Sequence, residues 1–336
     1  MAKSRKKVTI RDIARAANVS VATVSNVLND KETVDQSIRE SVLGIAEQMS
    51  YSRIKRRPSN GAAAKMIGMV SPDVTDPVMA SIFKGVENIA RIHGYISILC
   101  DSMNSGELEN EHIENLVHRG IDGLIVQPTG TELPSLAMLR RMSFPFVIVD
   151  RTILEPAVNS VVSDNLDGAY QAVKYLLSLG HKDICFIAGP ATTSTSVDRA
   201  AGYAKALSEG GIETREELIV QGNFSWNDAF QKVDDVLREG RRFTAVFAAN
   251  DIMALAARAA IEKHGMHVPD DISVVGYNDI LYASAISLTT VALDPLEMGK
   301  NATLLLLDLI TKRRTPPHSV TMKPRLIIRN SCRKVD

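Results

Sequence analysis

The sequence predicts an all-α head of three helices, arranged as a helix-turn-helix, joined to an α/β domain of two lobes with parallel, doubly wound sheets. Three observations lead to this prediction. The first 50 residues contain three short helical periods separated by brief breaks. From Met66 onward, short apolar runs alternate with longer helical periods. The net charge also changes sign between these two parts.

The charge asymmetry separates a basic front segment from an acidic body. Residues 1–65 hold 13 Lys and Arg against 6 Asp and Glu, a net charge of +7. The remaining 26 basic and 33 acidic residues give −7, so the chain as a whole balances at +0. This division indicates that the front segment meets a polyanion. The alternative is a basic terminus that is merely solvated.

The three helices of the head have recognisable starts and inner faces. The pattern Thr9-x-x-Asp12 resembles a capping box, Ser20 is a suitable N-cap for the second helix, and Asp35 begins the third. Apolar residues at helical spacing predict the buried faces: Ile10, Ile13, Ala14 and Ala17, then Val24, Val27 and Leu28, then Ile38, Val42, Ile45, Ala46 and Met49.

The opposite face of the second helix carries small and polar side chains that suit the major groove of DNA. Val21 and Ala22 would contact thymine methyl groups, and Asn26 would read a base edge. Basic side chains, namely Arg11, Arg15, Arg39 and the cluster from Lys3 to Lys7, would bind phosphates. The full set of predicted DNA contacts is Thr9, Arg11, Ser20, Val21, Ala22, Thr23, Ser25, Asn26, Asn29, Arg53, Ile54 and Arg56. A three-helix oligomerisation domain is the alternative.

The run VTIRDIARAANVSVATVSNVLND, followed by IRESVLGIAEQMSY, resembles the N-terminal domain of the LacI family of bacterial transcription regulators. The resemblance implies that Val21, Ala22 and Asn26 read the operator. Asn26 departs from the family pattern, in which Arg or His is more common, so the preferred operator would differ from the family norm.

Residues 51–65 form a basic linker between the two parts, because SRIKRRPSNGAAA has no apolar period. In the family this stretch becomes a hinge helix whose leucine wedges into the minor groove. Here Pro58 and Asn60 stand where an arginine and that leucine are usual. Either the helix begins at Pro58, or the groove is contacted through arginine side chains and Ile54.

Eight apolar runs predict the strands of the large domain, residues 66–336: MIGMVS, YISILC, DGLIVQ, FPFVIVD, DICFIAG, LIVQG, TAVFAA and ISVVGY. Loops of very different length favour two doubly wound lobes over the alternative, a single barrel. The common dinucleotide, triphosphate, metalloprotease and hydrolase motifs are missing from the sequence. We therefore expect no enzyme activity, no cofactor and no metal site.

Polar side chains follow the predicted strands, where open α/β sheets bind ligands. Ser71 and Asp76 come after the first strand; the other candidates are Asp150, Arg151, Asn250, Asp251, Asn278 and Asp279, with Arg199, Phe224 and Trp226 on neighbouring loops. Such donors and acceptors beside an aromatic face suit a small polyhydroxylated ligand. Each residue taken singly could instead be a helix cap or part of a surface ion pair.

The large domain also resembles the LacI-family effector domain, which has a periplasmic-binding-protein-like fold. The matching motifs include DVTDPVMASIFKGVE, RGIDGLIVQP, VIVDR, DRAAGY, TAVFAANDIMALAA and VPDDISVVGYND. The resemblance implies effector contacts from Asp76, Asp150, Arg151, Arg199, Phe224, Asn250 and Asn278, and the complete predicted set adds Ser71, Met79 and Leu293. Asn278 and Leu293 replace a common aspartate and glutamine, so a sugar, sugar acid or sugar phosphate remains open as the effector.

We expect a sequence-specific transcription regulator, a repressor that binds palindromic double-stranded operator DNA under control of this effector. The lobes should contain about residues 66–162 with 293–322, and 163–290 with 323–336. A homodimer or tetramer is expected, because one head makes too few phosphate contacts; the resemblance places its interface after Asp73, including residues 79–91.

The absence of a signal peptide or membrane span in the sequence indicates a cytoplasmic protein with no membrane partner, associated with the nucleoid when bound to DNA. A transport receptor would need a secretion signal and no basic head. An enzyme would need a base or nucleophile with an orienting partner.

Overall fold

The computed structural model describes residues 9–28, 34–49, 65–155, 157–312 and 317–335. The chain divides into a small unit before residue 62 and a large unit after it. In these described ranges, no helix has the length and apolar character needed to cross a membrane.

The small unit contains three helices, α1 (Ile10–Ala16), α2 (Val21–Leu28) and α3 (Gln36–Gln48). The Thr9 N–H donates to the Asp12 carboxylate at 2.9 Å, which confirms the predicted cap of α1. The Ser20 Oγ accepts the Thr23 N–H at 3.0 Å, so Ser20 caps α2 as predicted.

Six apolar side chains fill the core of the small unit: Ile13, Ala14, Val24, Val27, Val42 and Ala46. The prediction that Ile38 lies on the inner face of α3 is wrong, because 36% of this residue is exposed. Ile38 lies in the first turn of α3, before the stretch around Val42 and Ala46 that packs against the other helices.

The large unit follows the predicted alternation. Its described elements are β1 (Lys65–Ser71), α4 (Pro77–Ile92), β2 (Tyr95–Asp101), α5 (Gly106–His118), β3 (Gly123–Val126), α6 (Leu136–Arg141), β4 (Phe146–Asp150), β5 (Ser160–Ser163), α7 (Asn165–Ser178), β6 (Ile184–Ala188), α8 (Ser194–Glu209), β7 (Ile219–Gln221), α9 (Trp226–Arg238), β8 (Ala245–Ala248), α10 (Asp251–Lys263), β9 (Ser273–Asn278), α11 (Leu281–Ala285), β10 (Thr289–Ala292), α12 (Pro295–Ile310), β11 (Ser319–Met322) and β12 (Arg325–Ile327).

These strands form two six-stranded sheets, which define the two lobes. The first lobe has the order β11-β5-β4-β3-β1-β2, and the second has β12-β10-β9-β8-β6-β7. All neighbouring strands are parallel except β10 and β12, which are antiparallel. The two-lobed prediction is confirmed and the barrel alternative is wrong.

Four strands escaped the sequence analysis, namely β5, β10, β11 and β12. Each has only three or four residues, and their sequences mix serine, threonine or arginine with apolar residues. β11 and β12 add a final strand to each sheet from the end of the chain. Short segments like these gain their stability from their neighbours in the sheet, which a local pattern does not record.

The two lobes contact each other through apolar and polar side chains. Ile280 and Ile252, which belong to the second lobe, pack in the apolar cluster of the first lobe around Ile82 and Val147. The Ser194 Oγ, at the start of α8, accepts the backbone N–H of Thr152 from the first lobe at 2.7 Å. The lobes are therefore held together at the edge of the cleft between them.

Helices α4 and α12 cross at a close approach made by two glycines. A Cβ at Gly299 would overlap the carbonyl oxygen of Ile82, and one at Gly85 would overlap that of Leu296. The two backbones are thus in direct contact, which fixes α4 and its N-terminal residue Asp76 relative to the sheet.

We predict that Gly299→Ala destabilises the large unit by about 1–3 kcal/mol, because the added methyl group meets backbone atoms that cannot move aside. This cost exceeds the gain of about 1 kcal/mol that alanine brings to a helix. Urea unfolding followed by circular dichroism would measure it.

The matched control is Gly106→Ala at the start of α5, where no atom lies within 4 Å of an added Cβ. This control should unfold at the same urea concentration as the parent protein or slightly higher. Equal midpoints for the two variants would show that the helix crossing tolerates a methyl group.

Candidate functional site

The outer face of α2 presents small side chains to solvent. Val21 is 40% exposed and Ala22 is exposed, while Thr23, Ser25 and Asn26 are half-buried. These residues fit the predicted groove-reading face, since a small surface lets a helix backbone approach base edges closely.

Other predicted contacts surround this face. Thr9, Arg11 and Ser20 are exposed. The Ser20 and Thr23 hydroxyls form a hydrogen bond of 2.8 Å with each other, so both side chains also stabilise the start of α2. The predicted contacts Asn29, Arg53, Ile54 and Arg56 lie outside the described residues, as does the cluster from Lys3 to Lys7.

In the large unit, a cavity opens at the carboxyl ends of the parallel strands of both lobes. Its lining combines two carboxylates, two guanidinium groups, two amides, a hydroxyl and two apolar side chains: Asp76, Asp150, Arg151, Arg199, Asn250, Asn278, Thr195, Val78 and Phe224. This mixture of polar and apolar groups suits a small polar molecule.

A chain of hydrogen bonds holds the carboxylate of Asp150. The Ser71 Oγ donates to the Gln127 Oε1 at 2.7 Å, and the Gln127 Nε2 donates to the Asp150 Oδ2 at 2.8 Å. All three residues are buried. Ser71 therefore positions Asp150 through Gln127, which sequence reasoning did not identify.

Asp76 and Asn250 are helix caps as well as cavity residues. The Asp76 Oδ1 accepts the Val78 N–H at 2.9 Å, and the Asn250 Oδ1 accepts the Met253 N–H at 2.8 Å. Burial raises the pKa of the Asp76 carboxyl, and the nearby Asp150 raises it further. The second oxygen of Asp76 and the amide nitrogen of Asn250 have no described partner and are available to a ligand.

Arg199 is held in one orientation by three contacts. Its Nε donates to the Asn165 Oδ1 at 2.9 Å, its Nη1 donates to the Ala249 carbonyl, and its guanidinium carbon lies 3.8 Å from the centre of the Tyr277 ring. Burial raises the pKa of Tyr277 to about 12, so the phenol is neutral. Nη2 is the donor of Arg199 left for a ligand.

Arg151 is also buried, at 8% exposure, but it has fewer partners. Its Nη1 donates to the carbonyl of Pro128 at 3.0 Å, while its buried Nε has no hydrogen-bond partner. Burial lowers the pKa of this guanidinium, which the neighbouring carboxylate of Asp150 partly offsets. A donor without a partner at this depth is rare in proteins.

Three cavity residues have strained backbones. Positive φ angles occur at Asp150 (65°), Phe224 (57°) and Asn278 (107°). Such conformations cost about 1–3 kcal/mol each in non-glycine residues and concentrate at functional sites. The ring of Phe224 lies on the backbone of Gly189, where a Cβ would overlap it.

The structure brings together seven of the predicted effector residues and leaves three outside the lining. Ser71 contacts Gln127 instead. Met79 is buried in the core of the first lobe, and Leu293 packs against the core of the second. The lining residues Val78 and Thr195 were missed; both lie near carboxyl ends of strands, which is the signal that could have found them.

Asp251 anchors the loop that carries Asn278. Its Oδ2 accepts the Ile280 N–H at 2.8 Å, and its Oδ1 accepts the Thr290 hydroxyl at 2.6 Å. Asp251 is fully buried, and this burial raises its pKa to about 7.

Within the described ranges, no three His, Cys, Asp or Glu side chains come together in a way that could hold a metal ion.

Two family models match the chain. Residues 9–53 match the model described as bacterial regulatory proteins of the lacI family, and residues 173–332 match a periplasmic binding protein-like domain. The HTH-type transcriptional repressor PurR of Pectobacterium carotovorum subsp. carotovorum (strain PC1) is 34% identical over 328 residues, which cover 96% of this chain and 96% of that protein.

Solved structures of similar architecture include two regulators. A complex of the transcriptional regulator CelR with cellobiose has a TM-score of 0.75 and 29% identity, and covers 96% of this chain and 99% of its own. The lac repressor dimer bound to operator and the anti-inducer ONPF has a TM-score of 0.74 and 27% identity. The match covers 97% of this chain and 99% of the lac repressor chain.

We predict that Asp251→Ala destabilises the protein by about 1–3 kcal/mol, because the buried N–H of Ile280 then has no acceptor. The free energy of unfolding of Asp251→Asn should stay within about 1 kcal/mol of that of the parent protein. Its amide oxygen can accept the Ile280 N–H, while its nitrogen donates to the Thr290 hydroxyl, which can reverse its role. Urea unfolding at pH 7 measures both; equal losses would show that the negative charge matters rather than the hydrogen bonds.

Proposed function

The chain belongs to the LacI family of bacterial regulatory proteins, and from this premise we propose that it is a repressor that binds palindromic operator DNA as a homodimer under control of a small-molecule effector. It is a transcription regulator with a helix-turn-helix head and a periplasmic-binding-protein-like domain. The observation that carries the proposal is the exposed, small-residue outer face of α2, on a head that precedes a ligand-sized cavity.

Operator contact is assigned to the head. Val21 and Ala22 would contact thymine methyl groups and Asn26 would bond to a base edge, while Arg11 and Arg15 would bind phosphates. Both arginines are exposed on α1. We propose further contacts from Thr9, Ser20, Thr23 and Ser25, and from Asn29, Arg53, Ile54 and Arg56 in the undescribed segments.

The effector is assigned to the cavity between the lobes. A sugar or sugar derivative has hydroxyl groups that need buried donors and acceptors, and an apolar ring face that stacks on an aromatic side chain. The carboxylates of Asp76 and Asp150, the amides of Asn250 and Asn278, and the ring of Phe224 supply these groups. The CelR structure contains cellobiose, a disaccharide, which supports a ligand of this class.

A dimer is supported by exposed apolar side chains on both lobes. Ile92 and Ile96 lie exposed at the end of α4 and on the edge strand β2, and Leu281 and Tyr282 lie exposed on α11. The lac repressor was solved as a dimer on its operator. We propose that two heads occupy half-sites about one helical turn of DNA apart.

Effector control follows if the ligand binds one arrangement of the lobes more tightly than another. Contacts that cross the cleft, such as the bond between Ser194 and Thr152, would then form or break with ligand. The lobe arrangement would set the spacing of the two heads. A regulator of this kind, without enzyme activity, acts in the cytoplasm and is associated with the nucleoid when bound to DNA.

Selection of duplexes from a random library by the full-length protein tests the proposal. We expect enrichment of a palindrome, and no enrichment with residues 66–336 alone, which lack the head. The shortened protein should still be stabilised by any ligand that stabilises the full chain, since a ligand at about 100 times its Kd adds about 2.7 kcal/mol. No preference for a palindrome over random competitor would contradict the proposal.

We predict that Asn26→Ala changes the selected sequence at one position of each half-site with little change in the dependence of affinity on salt, because it removes a base contact. The matched variant Arg11→Ala should weaken binding to all sequences and lower the salt slope by about 1, because it removes a phosphate contact. Fluorescence anisotropy over a salt series measures both. An unchanged preference for Asn26→Ala would place readout on other residues.

A further inference from the structure

We propose that the effector is a hydroxylated anion, a polyol bearing a carboxylate or phosphate group, and that this group binds between Arg151 and Arg199. This inference rests on the proposed function, since it assumes that the cavity is the effector site. It narrows the ligand from any sugar derivative to a negatively charged one. It also assigns Arg151 as the residue that distinguishes a charged ligand from a neutral one.

The first observation is that both guanidinium groups are buried without an ion pair. Arg151 and Arg199 are 8% and 4% exposed, and both line the cavity. Within the described part of the chain, no carboxylate oxygen lies within the 4.0 Å that defines an ion pair with either group. A buried charge is costly unless an opposite charge or several hydrogen bonds compensate it.

The second observation is that Arg151 has hydrogen-bond donors left over. The Nε has no partner although it is buried, and no described hydrogen bond uses Nη2. Nε and Nη2 form the edge of a guanidinium that binds carboxylates and phosphates through two parallel hydrogen bonds. Arg199 likewise keeps its Nη2, because Asn165 and Ala249 occupy Nε and Nη1.

The two carboxylates of the cavity accept hydrogen bonds from other groups and form no ion pair with the arginines, although the charges of Asp150 and Asp76 offset part of the cost of burying Arg151. Asp150 accepts the Gln127 amide, and Asp76 caps α4 through the Val78 N–H. Each carboxylate keeps one oxygen that can accept a hydroxyl. The cavity therefore combines donors for an anion with acceptors for hydroxyl groups.

Asn278 adds a further acceptor to the lining of the cavity. Its Oδ1 is buried and has no hydrogen-bond partner. An acceptor in this position is satisfied by a ligand hydroxyl or amine, and not by another acceptor. Beside it, the Phe224 ring offers an apolar surface for the carbon skeleton. A simple inorganic anion would leave the Asn278 acceptor and the Phe224 ring unused, so the natural ligand combines both features.

A neutral sugar fits the arrangement less well. It would bury the two guanidinium groups further without supplying a counter-charge, so it would increase their desolvation. A cationic ligand could approach the carboxylates of Asp76 and Asp150, but its charged group could not accept the hydrogen bonds that the free guanidinium N–H groups offer. An anion removes the existing penalty and uses charge-assisted hydrogen bonds, which are about twice as strong as neutral ones.

Thermal unfolding of the full-length protein with bare anions gives the direct test. Sodium phosphate and sodium acetate are each titrated against sodium chloride at equal ionic strength, which cancels general salt effects on the basic head. We expect a saturable rise in Tm with phosphate or acetate that chloride does not produce. A rise with phosphate alone assigns a phosphate ester, and a rise with acetate alone assigns a carboxylate.

Variants locate the response. Arg151→Gln should lower the affinity for the anion about tenfold to hundredfold, which is the loss expected for hydrogen bonds to a charged group. Arg151→Lys keeps the charge but loses the Nε donor, and should lie between the parent and Arg151→Gln. The matched control Arg141→Gln makes the same change at an exposed position on α6 and should respond as the parent does.

D-Gluconate and D-glucose 6-phosphate are then compared with D-glucose on the same variants. We expect at least one charged compound to exceed glucose in the parent and to lose that advantage in Arg151→Gln. Phosphate and acetate responses equal to chloride, or equal in the parent and Arg151→Gln, would overturn the inference.

Operator binding by the same samples separates the two proposals. Binding of the selected palindrome by Arg151→Gln shows that this variant is folded. If the parent protein binds the palindrome but shows no anion response, only the charged effector is refuted. Loss of palindrome preference in the parent refutes the regulator itself.

Discussion

The parallel direction of the strands is the constraint on which the rest of the structure depends. Parallel strands end on the same edge of a sheet, and the chain leaves each one toward a helix whose first N–H groups need acceptors. Asp76 and Asn250 meet that need for α4 and α10, and both also face the cavity. The polar groups that allow the helices to begin therefore also supply part of the lining of the cavity, which is the proposed effector site.

The cavity concentrates strain that rigid surroundings have to hold. Asp150, Phe224 and Asn278 have positive φ angles, and each is supported by a neighbour. Gln127 donates a hydrogen bond to Asp150, and Gly189 leaves room for the ring of Phe224. Asp251 fixes the loop just after Asn278 by accepting the N–H of Ile280. The direct backbone contact of α4 with α12 fixes another wall. Binding groups held in this way lose little freedom when a ligand arrives, which favours affinity.

Local patterns predicted the elements that carry their own signals and failed where stability comes from neighbours. Capping residues such as Thr9 and Ser20 were recognised because their hydrogen bonds are local. The rule that ligands bind beyond strand ends found most of the cavity, but it does not give the direction of a side chain. Met79, which was added to the site with the family resemblance, was misplaced, although its spacing with Ile82 and Val86 is that of a buried helical stripe. Gln127 needed the fold itself, because its partners are distant in sequence.

The zero net charge of the chain conceals positive groups in two different electrostatic settings. Arg11 and Arg15 are exposed on the head. Salt there screens electrostatic attraction over a distance of about 10 Å at 0.1 M ionic strength. Arg151 and Arg199 are buried, where screening is weak and desolvation dominates. Affinity for DNA should therefore depend steeply on salt, while affinity for a ligand in the cavity should depend on it much less. The same residue type is thus suited to long-range attraction in one unit and to short-range contacts in the other, and the burial of each arginine determines which.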